Sequence, residues 1–159
     1  MLVKYQQGDI VAITIAETSV AFAQILMKMR RNIFIAVFFG AVSSLESPDL
    51  ESLNVDDPRL VVETMDLRVR DGSWRIVGRR TPAERLLNPI FKVPVGIGEE
   101  FHIQDIYGTV GRPASPQEVK RLRMQKSYSP AVVEKAARAL HGLEPWLAIF
   151  DELRPGVDL

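Results

Sequence analysis

The sequence predicts an α+β fold: a twisted antiparallel sheet, a meander plus a hairpin that is open to closing into a barrel, with helices toward the C-terminus. Three observations carry this. Residues 8–40 repeat large apolar residues at period two, with small or mixed residues between them and short polar interruptions. Leu60 to Arg80 repeats that alternation around Asp71-Gly72, a favoured two-residue hairpin turn. From Arg112 onward, cap residues and apolar residues at helical spacing replace it.

In the meander, Val11, Ile13 and Ile15 share one face of the first strand, Val20, Phe22 and Leu26 one face of the second, and Ile33, Ile35, Val37 and Phe39 one face of the third. Ala12, Thr14, Ala21, Ala23, Phe34 and Phe38 form the other face. The third strand is thus apolar on both sides, as a central strand is. Glu17-Thr18-Ser19 and Met29-Arg30-Arg31-Asn32 have lengths suited to hairpin loops.

Next comes a Ser47-Pro48 helix-start signal, which predicts a short helix near Pro48 to Leu53. Around it Glu46, Asp49, Glu51, Asp56 and Asp57 form the densest acidic cluster of the chain. It reads either as a solvated loop or as a surface that meets a basic partner. In the predicted hairpin, pairing Arg70 with Ser73 sets Val69 opposite Trp74 and Leu67 opposite Ile76, with Met65 and Val61 extending the inner face. The same register aligns Arg68, Arg70, Arg75 and Arg79 as a basic stripe outside, with Asp66 diagonal to Arg75. Trp74 is expected in the core.

Thr81, Pro82 and Glu84 open a short helix that Asn88-Pro89 stops. Residues 89–98 read as a loop or sheet edge, and Phe101 to Tyr107 as the last strand. Ser115-Pro116-Gln117-Glu118 is a capping box. Ser129 caps a helix from Pro130 with Val132, Val133, Ala136, Ala137 and Leu140 as its stripe, His141 as a cation at its end and Gly142 as its stop. Pro145 begins a last element with Trp146, Ile149, Phe150 and Leu153 on one side.

The length suits one domain over 1–159, with a sheet core at about 8–112 and a helical part at about 115–153; a chain of this size buries roughly 70% of its surface. Twenty basic residues balance twenty acidic ones, so electrostatic recognition must come from local patches. Without cysteine there is no disulfide, thiolate site or cysteine nucleophile. No basic-then-apolar leader and no run of about 18 apolar residues is present, which predicts a soluble, cytoplasmic protein with no membrane partner.

Reaction machinery is missing: no phosphate-binding glycine loop, GxSxG elbow or HExxH is found. His102 and Gln104 share a strand face from which Asp105 points away, so they do not converge on a reaction centre. The two histidines, His102 and His141, lack a ligand spacing. No catalytic, cofactor-binding or metal-binding residues are assigned, no cofactor is expected, and the chain reads as a binder and not an enzyme.

Several segments in order resemble family 26 of the immunity proteins of bacterial polymorphic-toxin systems. They are Gly8-Asp9-Ile10-Val11-Ala12-Ile13, the strand around Phe22 to Leu26, Trp74-Arg75-Ile76-Val77-Gly78, Phe101-His102-Ile103-Gln104-Asp105, and Arg112-Pro113-Ala114 running into the Pro116 helix. The family tends to carry glycine after the second-strand aromatic, where this chain has Ala23. The resemblance spans most of Tyr5 to Leu140 and implies a protein that neutralises a cognate toxin by binding it, with no catalytic residues. The partner-binding candidates are then the acids Glu46, Asp49, Glu51, Asp56 and Asp57 against a basic toxin, or the arginines Arg68, Arg70, Arg75 and Arg79 against an acidic one. The alternative is a small-barrel nucleic-acid-binding module that uses those arginines with Trp74 as a stacking platform.

Overall fold

The computed structural model describes residues 1–43 and 48–156. Its elements in chain order are β1 (Asp9–Ala16), β2 (Ser19–Lys28), β3 (Asn32–Val42), β4 (Leu60–Met65), α1 (Leu67–Arg70), β5 (Arg75–Arg79), β6 (Ile90–Pro94), β7 (Phe101–Asp105), β8 (Val110–Pro113), α2 (Pro116–Arg121), β9 (Ser127–Tyr128) and α3 (Pro130–Leu140). Single 3-10 segments lie at Glu84–Leu86 and Ala148–Leu153. The chain divides into two compact units, one of Met1–Ala83 with Ser127–Arg154, the other of Glu84–Lys126 with Pro155 and Gly156.

In the first unit six strands form one sheet in the order β5-β1-β2-β3-β4-β9. All neighbours run antiparallel except β4 and β9, which pair in parallel through Glu63–Ser127 and Thr64–Tyr128. The sheet ends at β5 on one side and β9 on the other, so the fold is α+β and the sheet is not a closed barrel. The β1-β2-β3 meander forms as predicted, and β3 is buried on both faces from Ile33 to Phe38.

Register breaks change its faces. Between Ala21 and Ala23 the pairing with β3 advances from Ala41 to Val37, which leaves two extra residues on β3 at Phe38–Gly40. Phe39 is thereby turned out and is 58% exposed, not in line with Ile33, Ile35 and Val37. On β2, Ala21 and Ala23 share the main core face with Val11 and Ile13, while Phe22 lies on the opposite face with Ile10 and Ala12. This reverses the expected faces of β2. The irregularity forms with Ala23 in place of glycine, because the extra residues sit on the facing strand.

The main core joins this sheet face to α3 through Val133, Ala136 and Ala137, and to Phe150 and Leu153. Ser129 accepts from the Val132 N–H and Gly142, at φ +74, ends the helix, both as the sequence indicates. The ring of His141 ties the end of this helix to β3: its Nε2 lies 3.0 Å from the Gly40 N–H and its Nδ1 2.8 Å from the Ala137 carbonyl. In the last segment Ile149 is exposed, because 3-10 geometry places Phe150 and Leu153, three apart, on one line.

The expected Leu60–Arg80 hairpin is not formed. After β4 the Asp66 carbonyl accepts from the Val69 and Arg70 N–H groups and starts α1, and Gly72, at φ +81, terminates that turn of helix. Asp71-Gly72 is a helix stop here, not a hairpin turn. Strand β5 pairs with β1 instead, Val11 facing Ile76 and Ala12 facing Arg75. The helix expected at Pro48–Leu53 is also absent. Leu50 and Leu53 close short turns onto the Pro48 and Leu50 carbonyls, and the capping residue Ser47 lies outside the described residues.

The second unit contains an antiparallel sheet in the order β6-β7-β8, so residues 90–94 are an edge strand. Phe101 opens β7, which two further strands follow. Ser115 and Glu118 make the predicted capping box at α2, and the Lys92 ammonium donates to the Val119 carbonyl at 2.6 Å. Leu86, Phe91, Ile106 and Leu122 are its buried apolar side chains.

Candidate partner-binding surface

Residues 48–57 cross the sheet face opposite α3, where Leu50 and Leu53 pack on Ile10, Ala12 and Phe22 with Val20, Val42 and Val77. Burial of two leucines holds the segment down and leaves its carboxylates outward: Asp49, Glu51, Asp56 and Asp57 are all exposed. Glu46 lies outside the described residues. Asp49 accepts from the Ser52 N–H at 3.3 Å, the Asn54 side chain accepts from the Asp56 N–H, and Asp57 stands 3.7 Å from Arg59. Asp49 and Glu51 make no ion pair among the described residues.

Arg80 fastens this strap. Its backbone N–H donates to the Gly8 carbonyl and its own carbonyl accepts from the fully buried Gln24 side chain at 2.7 Å. Its guanidinium then donates to the carbonyls of Leu50, Glu51 and Leu53. A charged donor shared among three carbonyls satisfies groups that an α-helix would reserve for later N–H groups, which is why the segment stays non-helical. Gly78 leaves the room that the Leu50 side chain fills. The sequence assigns no role to Arg80, and Gly78 enters it only within the Trp74–Gly78 segment, since the partners of both lie about thirty residues away.

The four arginines do not form a stripe. Arg68 and Arg70 are on α1, and Arg75 and Arg79 on β5. Arg68 stands 3.2 Å from Glu134, which also accepts from the Trp74 indole N–H at 3.0 Å. Arg70 is 3.8 Å from Asp66, and Arg79 donates to Asp9 at 2.8 Å. Asp9 and Asp66 are buried, so these arginines offset carboxylates taken from water and are committed within the chain. Arg75 is exposed without an ion pair among the described residues.

Trp74 is 1% exposed, packed with Val69 in the main core. It cannot serve as a base-stacking platform, and with the sheet unclosed the small-barrel nucleic-acid reading loses both of its structural requirements.

The polar residues of β7 are engaged structurally. His102 lies with Nδ1 3.0 Å from the Gly111 carbonyl and Nε2 3.2 Å from Glu100; both neighbours are acceptors, and they raise its pKa above the ordinary histidine value, the carbonyl contact most. Gln104 donates to Gln125, and Asp105 accepts from the N–H groups of Tyr107 and Thr109 to close a turn. Among the described residues no group of three histidine or carboxylate side chains is gathered for a metal ion. No helix of the described residues is long and apolar enough to cross a membrane.

The candidate surface is therefore an anchored acidic strap, and of the four arginines Arg68, Arg70 and Arg79 are paired within the chain. The sequence profile of the family described as Immunity protein 26 matches residues 6–101, which takes in β1 to β6, the strap and Gly78. No curated protein and no solved structure matches the chain. A match over more than half the sequence places the chain: it belongs to the Immunity protein 26 family, the immunity side of a toxin system.

Proposed function

We propose that this protein neutralises a cognate bacterial toxin by binding it stoichiometrically, and that the acidic strap, residues 48–57, together with Glu46, is the surface that meets it. One observation supports the strap over the arginines: its carboxylates point to solvent from a segment pinned by Leu50, Leu53 and Arg80, whereas Arg68, Arg70 and Arg79 are neutralised within the chain. A pinned acidic surface loses little conformational freedom on docking and steers a basic partner into place. The toxin it fits is one with a basic face, as an enzyme acting on nucleic acid carries. Inhibition is by occlusion of that face, and no bond is made or broken by the immunity protein.

The test is to mix the purified chain with the toxin encoded beside it and follow the complex by size exclusion and titration calorimetry. A one-to-one complex is expected, with association slowed by salt and by the combined D49N, E51Q, D56N and D57N substitutions. Absence of a complex at micromolar concentration, or full affinity in the substituted protein, removes the proposal.

A further inference from the structure

A second charged feature lies in the same unit and is not part of the strap. Lys4, Lys28, Arg30 and Arg70 line one open pocket with a volume of about 590 Å³. Asp66 balances Arg70, and the three remaining cations around one space repel one another unless a further anion is present. The one carboxylate there, Asp66, is 5% exposed and already accepts from the Tyr5 hydroxyl at 2.7 Å, with Arg70 at 3.8 Å. Lys28 is held 4.6 Å over the Tyr5 ring, and Lys4 and Arg30 make no ion pair among the described residues.

The walls are tied together by backbone bonds. The Val3 N–H donates to Arg70 O at 2.9 Å, Met29 to Asn32 at 2.8 Å, and Asp66 to Arg31 at 3.0 Å. The cations thus come from three chain segments held in fixed relation: the N-terminal residues, the β2-β3 turn and α1. Leu2 and Val3 add an apolar border. A pocket of this size is in the range that small ligands occupy.

We propose that this pocket binds a phosphate-bearing small molecule of nucleotide size, with its phosphates among Lys4, Lys28 and Arg30, while Arg70 stays paired with Asp66 in the wall. Lysine and arginine supply the point-charge and forked donors that phosphate oxygens accept from. The buried Asp66 holds Arg70 in place and Tyr5 shields that carboxylate from the incoming anion. The proposal is independent of toxin binding, since no strap residue takes part.

The full chain is titrated with inorganic tripolyphosphate and with ATP, followed by amide NMR shifts at low and at physiological salt. Saturable one-to-one binding is expected, with shifts confined to residues 2–5, 28–31 and 66–70. K28A/R30A is expected to weaken it at least about tenfold with an unchanged melting temperature; Arg70 is left in place because its loss would strand Asp66. ATP binding more tightly than tripolyphosphate assigns Leu2 and Val3 to the non-phosphate part, and equal affinities assign a phosphate-only site; either supports the pocket. Shifts scattered over the surface, affinity unchanged in K28A/R30A, or no saturation overturns it. So does an oligonucleotide that binds far more tightly than ATP with a steep salt slope, which indicates an extended nucleic-acid track instead.

Discussion

The Cβ that Gly78 lacks would stand 2.2 Å from Leu50 Cδ1. Glycine is needed here for space and not for an unusual backbone angle. Gly78→Ala is expected to displace Leu50 and cost about 1–3 kcal/mol, the usual range for overpacking a filled site. In a Leu50→Ala background the same change should cost much less, since the neighbour is gone. Equal costs in the two backgrounds, measured by urea unfolding, would show that the contact does not hold the strap.

Trp74 reports on the main core. With Trp146 changed to Phe to remove the half-buried second indole, the remaining fluorescence should be blue-shifted and poorly quenched by acrylamide. Glu134→Ala removes the acceptor of the Trp74 N–H and the partner of Arg68 together, with an expected loss of about 1–3 kcal/mol for a buried donor left without a bond. Strong quenching in W146F would place Trp74 at the surface and overturn its assignment.

The Arg112 guanidinium grips Glu118 through both of its carboxylate oxygens and, with the Ser115 N–H, holds its pKa at about 2 against an ordinary 4.5. A depressed carboxylate contributes stability that is present above pH 4.5 and is lost as the pH falls toward 2. Carboxyl NMR titration should find the midpoint near the lower value, and Arg112→Ala should return it toward the upper one. A midpoint unchanged by R112A would exclude the arginine as the main cause.

His102 behaves oppositely. The Gly111 carbonyl first, and Glu100 second, favour its protonated ring. Its contribution is fully present below pH 6.5 and fades as the pH rises through the raised folded value. The ring-proton titration should lie above 6.5, and Glu100→Gln should lower it by part of the shift, because the carbonyl contact remains. A midpoint at or below 6.5 would contradict the geometry of both nitrogens.

What the sequence revealed follows the reach of each signal. The meander and the Ser115 and Ser129 caps were legible because alternation, turns and caps are decided within a few residues. Asp71-Gly72 is ambiguous because the same dipeptide stops a helix as readily as it turns a hairpin, and here the Val69 and Arg70 N–H groups bond back to the Asp66 carbonyl to make the helical turn. The pairing of β5 with β1 and of β9 with β4 joins segments more than sixty residues apart, one of them two residues long. At the candidate surface, the exposed acids could be read from composition. Their anchoring could not, since Gly78 and Arg80 act on a segment some thirty residues earlier.

The parallel pairing of β4 with β9 sets an order of events. Residues 84–126 belong to a separate compact unit and lie in the sequence between the two strands, so β4 gains its second neighbour only once Ser127 and Tyr128 are present. The helix that covers the main sheet face follows immediately, at Pro130. A chain that stops before Ser127 therefore keeps an open β4 edge and lacks the helix over its main core, which leaves that sheet exposed to pairing with other chains.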